Sequence, residues 1–465
     1  MWQRKLNWMN PLTAADRLSS LKGFVFLDSA LSQAELGRYS YIAVDPFALF
    51  TVIKGTAYWN GKALEGDPLH ALKTQLSTYK LDVQEKKFPF QGGCIGYIGY
   101  DYAQYLEKIK DYPQSSENLV EITFGFYDAI VAFDNLTQES YLLASGFPET
   151  EPEKRAERAT QRLDQLTKWL NEKLGAPREE ASITLSNWHS NFTQTRYIAA
   201  IEQVKEYIRQ GDIYQANIAQ KFTAKLPDNF NPWRLYTKLR TINPAPFAAF
   251  LSFTDLAIAS ASPERFIRLQ GTQVEVRPIK GTAARANDSQ TDKALADILL
   301  HSEKDRAENI MIVDLLRNDL SRSCIADSVE VTALCQLESY TGVHHLVSVV
   351  TGILKPELDG LDLLKGCFPG GSITGAPKIR AMEIIAETEK ACRGVYCGAI
   401  GYIDFDGDFD FNIAIRTITF SEKEAVFQAG GGITLLSDPE AEYSETLTKV
   451  DKIFESFGNP LTAGR

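Results

Sequence analysis

Apolar and polar positions alternate over short runs through the first third of the chain and later give way to a helical period. Tyr58 and Trp59 lead into Asn60-Gly61 and out through Lys62, Ala63 and Leu64. That is a two-residue hairpin signal, because asparagine and glycine accept the positive φ such a turn needs. Glu121 to Phe133 and Ser140 to Ala144 predict a strand pair around Asp134-Asn135. The charged run from Glu153 to Leu174 has the spacing of an amphipathic helix, with Pro152 at its start. Gly175-Ala176-Pro177-Arg178-Glu179-Glu180 then reads as a linker. It divides a β-rich N-terminal lobe, residues 1–175, from a second unit over 187–465. There, Tyr197, Ile201, Val204 and Ile208 place one apolar stripe on a helix closed by Gly211. Asn412 to Phe420 and Ala425 to Ala429 predict strands. Gly93-Cys94-Ile95-Gly96-Tyr97-Ile98 echoes Gly398-Ala399-Ile400-Gly401-Tyr402-Ile403, which suggests related β layers. The pattern predicts an α+β fold, with mixed or antiparallel sheets and helices packed outside.

Composition narrows the class. The 465 residues are 44% hydrophobic and 23% charged, ordinary for a globular chain able to bury an enclosed site. A net charge of −11 disfavours nucleic acid and anionic membranes as partners. The six cysteines form no CxxC pair and the five histidines no HExxH, so a disulfide framework and a zinc site are not expected. No apolar run reaches the roughly 18 residues of a membrane span. The opening MWQRKLNWMNPLTAADRL lacks a signal-peptide pattern. A cytoplasmic enzyme is the expectation.

Several acidic and glycine-rich positions could carry chemistry. Ser302 and Asp305 have capping-box spacing at the start of a helix. Glu308 lies one turn on, beside Met311 and Ile312; a carboxylate there needs a cation or an ion-pair partner. The last helix has Asp438 as N-cap, Pro439 in its first turn and Gly458 with Pro460 at its end. Its Glu442 and Glu445 could hold a hard cation such as Mg²⁺, or could simply answer the helix dipole. FPGGSITGAPK (368–378) and Gly430 to Gly432 are not P-loops; they could bind an anion or be tight turns. Lys280, just past an alternating strand, is either a solvated loop residue or, if buried, a nucleophilic amine.

Ser262-Pro263-Glu264, PIKGT, KDRAENIMIVDLLRND, VHHLVS, FPGGSITGAPK, AIGYI, NIAIRT, AGGGI and EAEYSET stand in the order found in chorismate-utilising enzymes, which the chain resembles over nearly its whole length. The resemblance implies large mixed or antiparallel sheets in an interwoven, two-lobed β-sandwich. Water-adding relatives have a lysine base where this chain has Gln215, and anthranilate synthases usually have alanine where it has Lys280. What is implied is amination of chorismate at C4 with ammonia to give 4-amino-4-deoxychorismate, toward p-aminobenzoate and folate, through a covalent Lys280 intermediate. Anthranilate formation, or a non-catalytic chorismate- or tryptophan-binding regulator, are the alternatives. The resemblance further implies Glu264 as acid and base and His345 near the ring. Mg²⁺ would sit on Glu308, Glu442 and Glu445. Gln215, Thr374, Gly375, Lys378, Tyr402, Arg416, Gly431 and Gly432 would bind substrate. Asp28, Ser29, Tyr39 and Ser40 would line a tryptophan pocket. Because no glutaminase segment is recognisable, ammonia would come from a separate glutamine amidotransferase subunit.

Overall fold

The computed structural model describes all residues except 32–35, 82–84, 115–118, 173–184, 186, 255, 287, 341, 422 and 459–465. The linker expected at Gly175 to Glu180, and Pro460, lie outside the described residues. Two twelve-stranded sheets dominate, and their strands pair antiparallel. One runs Trp2–Leu6, Glu139–Ala144, Ala129–Asp134, Tyr39–Ala43, Val25–Asp28, Phe247–Phe253, Leu256–Ser262, Thr417–Phe420, Glu424–Ile433, Gln215–Lys225, His189–Ser190. The other runs Ile279–Ala284, Val343–Ile353, Gln273–Arg277, Arg265–Gln270, Phe409–Ile413, Ala399–Asp404, Gly93–Ile98, Val120–Tyr127, Ala48–Ile53, Thr56–Trp59, Lys62–Ala63. Gly375–Ala376 joins the first through Gln215–Lys225, and Glu330–Ser339 joins the second through Val343–Ile353. Each sheet takes strands from both sides of residue 187.

Tyr97, Tyr127, Ile130, Leu251 and Ile400 fill the layer between the sheets. Helices cover the outer faces. Leu18, Leu163, Leu239 and Phe454 pack on the first sheet, while Leu72, Ile312, Leu316 and Leu364 pack on the second. Burial of each such side chain stabilises the fold by roughly 1.5–3 kcal/mol. Helix starts were written plainly in the sequence: Asn10-Pro11, Asp67-Pro68, Asn231-Pro232 and Asp438-Pro439 each place a side-chain acceptor before a proline that needs no N–H partner. The charged helix expected from Glu153 spans Pro152–Asn171. Asn60 and Gly61, both at positive φ, turn the predicted hairpin. The two echoing segments are neighbours, with Gly96 opposite Gly401. Neither glycine has room for a side chain: a Cβ would lie 1.8 Å from Thr123 O or 2.1 Å from Asp410 O.

Two expected strands are each split between sheets. Glu121 to Phe133 divides at Asp128, into Val120–Tyr127 of the second sheet and Ala129–Asp134 of the first. Asn412 to Phe420 divides at residues 414–416, where Arg416 adopts φ 51°. A third step, from Leu256–Ser262 to Arg265–Gln270, passes through Pro263 and Glu264. The second and third steps are bonded together. Ser262 Oγ donates to Ile413 O at 2.6 Å, Ile413 N to Glu264 O at 3.0 Å, and Ala261 N to Arg416 O at 3.1 Å.

Candidate functional site

Those paired steps set Glu264 and Arg416 side by side where the two sheets meet. Glu264 is 5% exposed, and its Oε1 accepts from Ser372 Oγ at 2.8 Å and, at 3.5 Å, from the Ile279 amide. Burial pushes its carboxyl above the usual range, against the pull of Ser372 and the Lys280 and Arg416 charges. Arg416 has no ion-pair partner among the described residues, and burial lowers its pKa. His345 is buried, with Nδ1 3.0 Å from Thr282 Oγ1. Burial and the Arg416 charge bring its pKa down to about 4, so the ring is neutral at pH 7.

Lys280 is no solvated loop residue. It lies on Ile279–Ala284, with its side chain 11% exposed; Nζ sits 3.0 Å from Glu308 Oε1 and donates to Ser372 O at 3.0 Å. Ser372 thus joins the lysine, through its carbonyl, to Glu264, through its hydroxyl. Glu308 comes from the helix Glu303–Ser323, whose N-cap Ser302 accepts from Asp305 N. Its Oε1 also receives Gln215 Nε2 at 2.7 Å. Burial alone would raise the Glu308 carboxyl, but the Lys280 charge and these hydrogen bonds outweigh burial and hold it below the usual range.

The glycines of Glu424–Ile433 leave room for acidic groups. A Cβ at Gly432 would come within 1.8 Å of Gln215 Nε2 and 2.8 Å of Glu308 Oε1. At Gly431 it would meet Glu442 Oε2 at 3.0 Å, Lys449 Nζ at 3.6 Å and Glu445 Oε1 at 3.9 Å. Glu442 accepts from Ser437 Oγ at 2.7 Å; burial, and to a lesser degree Glu445, raise its pKa. Glu445 is half exposed and pairs with Lys449 at 2.7 Å. The three glutamates therefore border two adjacent glycines, with lysines in contact with two of them. Among the described residues, no group of three or more His, Cys, Asp or Glu is already gathered as a metal site.

The segment 368–378 closes the other side. Gly375, at φ 148°, pairs with Ala216, and a Cβ there would lie 2.2 Å from Gln215 O. Thr374 is buried; its carbonyl accepts from Asn217 N at 2.8 Å and its hydroxyl turns back to Gly370 O at 3.0 Å. Gln215, Thr374, Gly375, Gly431 and Gly432 are thus brought together with Lys280 and Glu308. Lys378 is committed elsewhere, pairing with Asp319 at 2.7 Å and donating to Cys367 O at 2.9 Å.

Tyr402 is the clear departure from expectation. Strand alternation puts it on the face of Ile400, between the sheets, with its ring centroid 4.6 Å from Phe90 and 5.9 Å from Tyr41. It lines a separate cavity of about 280 Å³ with Asp28, Ser29, Arg38, Tyr39 and Arg265. The Asp28 carboxylate points out of that cavity to Tyr236 Oη, 2.8 Å away, and Arg240. Ser40 does not line it; its hydroxyl accepts from Ser29 N at 3.2 Å and Asn135 Nδ2 at 3.0 Å. Sequence reasoning missed Asn217 and the fully buried pair Glu389–Arg393. An i,i+4 acid–base pair beside the glycine-rich run was the available signal, and it resembles an ordinary surface pair.

No helix among the described residues is long and apolar enough to cross a membrane. Residues 26–455 match the family model described as chorismate binding enzyme. The chain is 41% identical over 394 residues to aminodeoxychorismate synthase component 1 of Salmonella typhimurium, covering 84% of this chain and 83% of that one. It is 36% identical over 442 residues to anthranilate synthase component 1 of Aquifex aeolicus, covering 93% and 88%. The crystal structure of anthranilate synthase component I from Streptococcus pneumoniae superposes with a TM-score of 0.81 at 33% identity, covering 91% of this chain and 93% of that one. With the match spanning both sheets and every group just described, the chain belongs to the chorismate binding enzyme family.

Proposed function

We propose that this chain aminates chorismate at C4 with ammonia, giving 4-amino-4-deoxychorismate on the route to p-aminobenzoate and folate. The observation that carries the reading is Lys280, placed inside the site with its nitrogen sharing Ser372 with Glu264. Once Lys280 has left Glu308 and given its extra proton to water, the neutral amine attacks C2, the double bonds shift, and the C4–O bond breaks as protonated Glu264 gives its proton to the departing hydroxyl. Ammonia then forms the C4–N bond; the shift reverses and the C2–N bond to lysine breaks. Glu264 takes up the surplus proton from the incoming nitrogen. A positioned acid of this kind contributes typically about 10²–10⁴-fold. Arg416, with no ion-pair partner among the described residues, is available to a substrate carboxylate, and the Gly431 and Gly432 amides to another. Neutral His345 would border the ring.

Glu308, Glu442 and Glu445 fit Mg²⁺ as hard oxygen donors bordering Gly431 and Gly432, where a side chain would crowd their carboxylates. When bound, the ion supplies positive charge against a substrate carboxylate. The catalytic residues all fall within 187–465, and the N-terminal segment 1–175 contributes three of the predicted lining residues of the second cavity, where tryptophan is the ligand we propose. Ammonia would come from a separate glutamine amidotransferase subunit. The test is the product formed from chorismate, Mg²⁺ and an ammonium salt, identified by mass spectrometry and fluorescence. 4-Amino-4-deoxychorismate, its enolpyruvyl ether retained, is expected. The 36% identity to an anthranilate synthase component supports anthranilate as the second reading, and a fluorescent product lacking pyruvate would establish it. Lys280→Ala should lose the covalent adduct and most turnover; unchanged turnover without an adduct would remove the nucleophile role.

A further inference from the structure

Beneath the site lies an ion pair that the reaction does not touch. Arg393 is 3% exposed and Glu389 6%. Arg393 Nε and Nη2 donate to the two Glu389 oxygens at 3.0 and 2.6 Å. The rest of the guanidinium fork is spent on main chain: Nη1 donates to Ile373 O at 3.1 Å, and Nη2 to Asn217 O at 2.8 Å. Glu389 Oε1 in turn accepts from Ala219 N at 2.8 Å. The Arg393 backbone is held by Asp101 Oδ1 at 3.3 Å and Gln428 Nε2 at 2.7 Å, and its guanidinium lies 4.7 Å from the Tyr100 ring centroid. One side chain therefore joins the 371–375 turn to the strand Gln215–Lys225.

The connection continues to the reacting groups in one step. Asn217 Nδ2 donates at 2.9 Å to Ser372 O, the same carbonyl that receives Lys280 Nζ at 3.0 Å. Ser372 Oγ donates to Glu264 Oε1 at 2.8 Å. A buried ion pair is weak evidence of stabilisation, since apolar replacements are often as stable. Here the planar fork reaches two carbonyls on separate elements at once, which the point charge of lysine cannot reproduce.

We propose that Arg393 is a positioning residue for Lys280 and Glu264, acting through the carbonyls of Ile373 and Asn217 and the Asn217 side chain on Ser372. The proposal rests on the preceding reading only for the reaction used to measure it. The experiment compares wild type, Arg393→Lys and Asn217→Ala as full chains, by steady-state chorismate turnover with an ammonium salt and by thermal melting. Misplacing catalytic groups by about 1 Å can cost 10²-fold, so kcat should fall roughly 10- to 100-fold in Arg393→Lys and by a smaller factor in Asn217→Ala. KM for chorismate should barely move in either. If Arg393→Lys does not fold, Asn217→Ala decides, because it severs the last link without disturbing the ion pair. Two folded variants with wild-type kcat, or a folded Asn217→Ala with wild-type kcat where Arg393→Lys does not fold, or losses confined to KM, would overturn the relay. Should wild type form a product other than 4-amino-4-deoxychorismate, the functional reading fails while the kcat ratios still judge Arg393.

Discussion

At Asp128 and at Glu264 the chain makes the same move, leaving one sheet for the other with a buried carboxylate at the bend. Asp128 receives two guanidiniums, Arg158 Nε at 2.9 Å and Arg162 Nε at 3.1 Å. These offset part of the upward push that burial gives its carboxyl. Among the described residues, Glu264 receives only neutral donors, the Ser372 hydroxyl and the Ile279 amide, and Arg416 beside it carries no ion pair. The first bend spends its charges on the fold. The second keeps an acid and a cation available, so the topology is shared and the partners separate scaffold from chemistry.

Glu264→Gln should break the comparison most sharply, lowering kcat by about 10²–10⁴-fold in steady-state assays while the protein stays folded. A variant within twofold of wild type would end the acid role. Asp128→Ala should do the reverse. Arg162 keeps Asp45 and Arg158 keeps Phe147 O, so losing the shared carboxylate is expected to cost roughly 1–3 kcal/mol in denaturant unfolding, with turnover per folded molecule nearly unchanged. Acidity offers a finer test. Because burial raises the Glu264 pKa in the folded state, its stability contribution is complete below the ordinary carboxylate range and is lost as pH rises through the raised value. Melting of wild type compared with Glu264→Gln should therefore diverge on the alkaline side in favour of the variant, and turnover per free ammonia should fall over the same interval only in wild type. Coincident melting curves at every pH would place the carboxyl at its unperturbed value. The smallest effect is expected for Tyr402→Phe, whose ring lies between the sheets; a turnover loss beyond about tenfold, or 1.4 kcal/mol, would return Tyr402 to the substrate site.

Much of this site was legible because its parts are short, chemically distinctive runs: Lys280 in PIKGT, Glu308 on a capped helix, two glutamates one turn apart, glycines where a Cβ cannot fit. The bends were not legible. Nearly every residue from Val120 to Asp134 is buried, so the period-2 alternation that would show a change of sheet is absent and the run reads as one strand. Tyr402 went astray for a related reason. A motif places a residue on a strand, but only its phase relative to Ile400 decides which face it takes. Lys378 had the right charge at the right place in the glycine-rich run, and Asp319, 59 residues upstream, claims it. Arg393 was invisible because its meaning lies in two carbonyls, and backbone acceptors leave no trace in residue identity.

The interleaving of the sheets bears on how the chain reaches this state. Val25–Asp28 pairs with Phe247–Phe253, and Gly93–Ile98 with Ala399–Asp404, so strands laid down early wait for partners made hundreds of residues later. Loop closure over such spans is slow, and the waiting edges are open to the wrong neighbour. On a ribosome adding about 5–20 residues per second, Gly93–Ile98 stays half-paired for tens of seconds before its echo emerges. Nascent chains halted before residue 399 should accordingly depend on chaperones far more than the finished protein does.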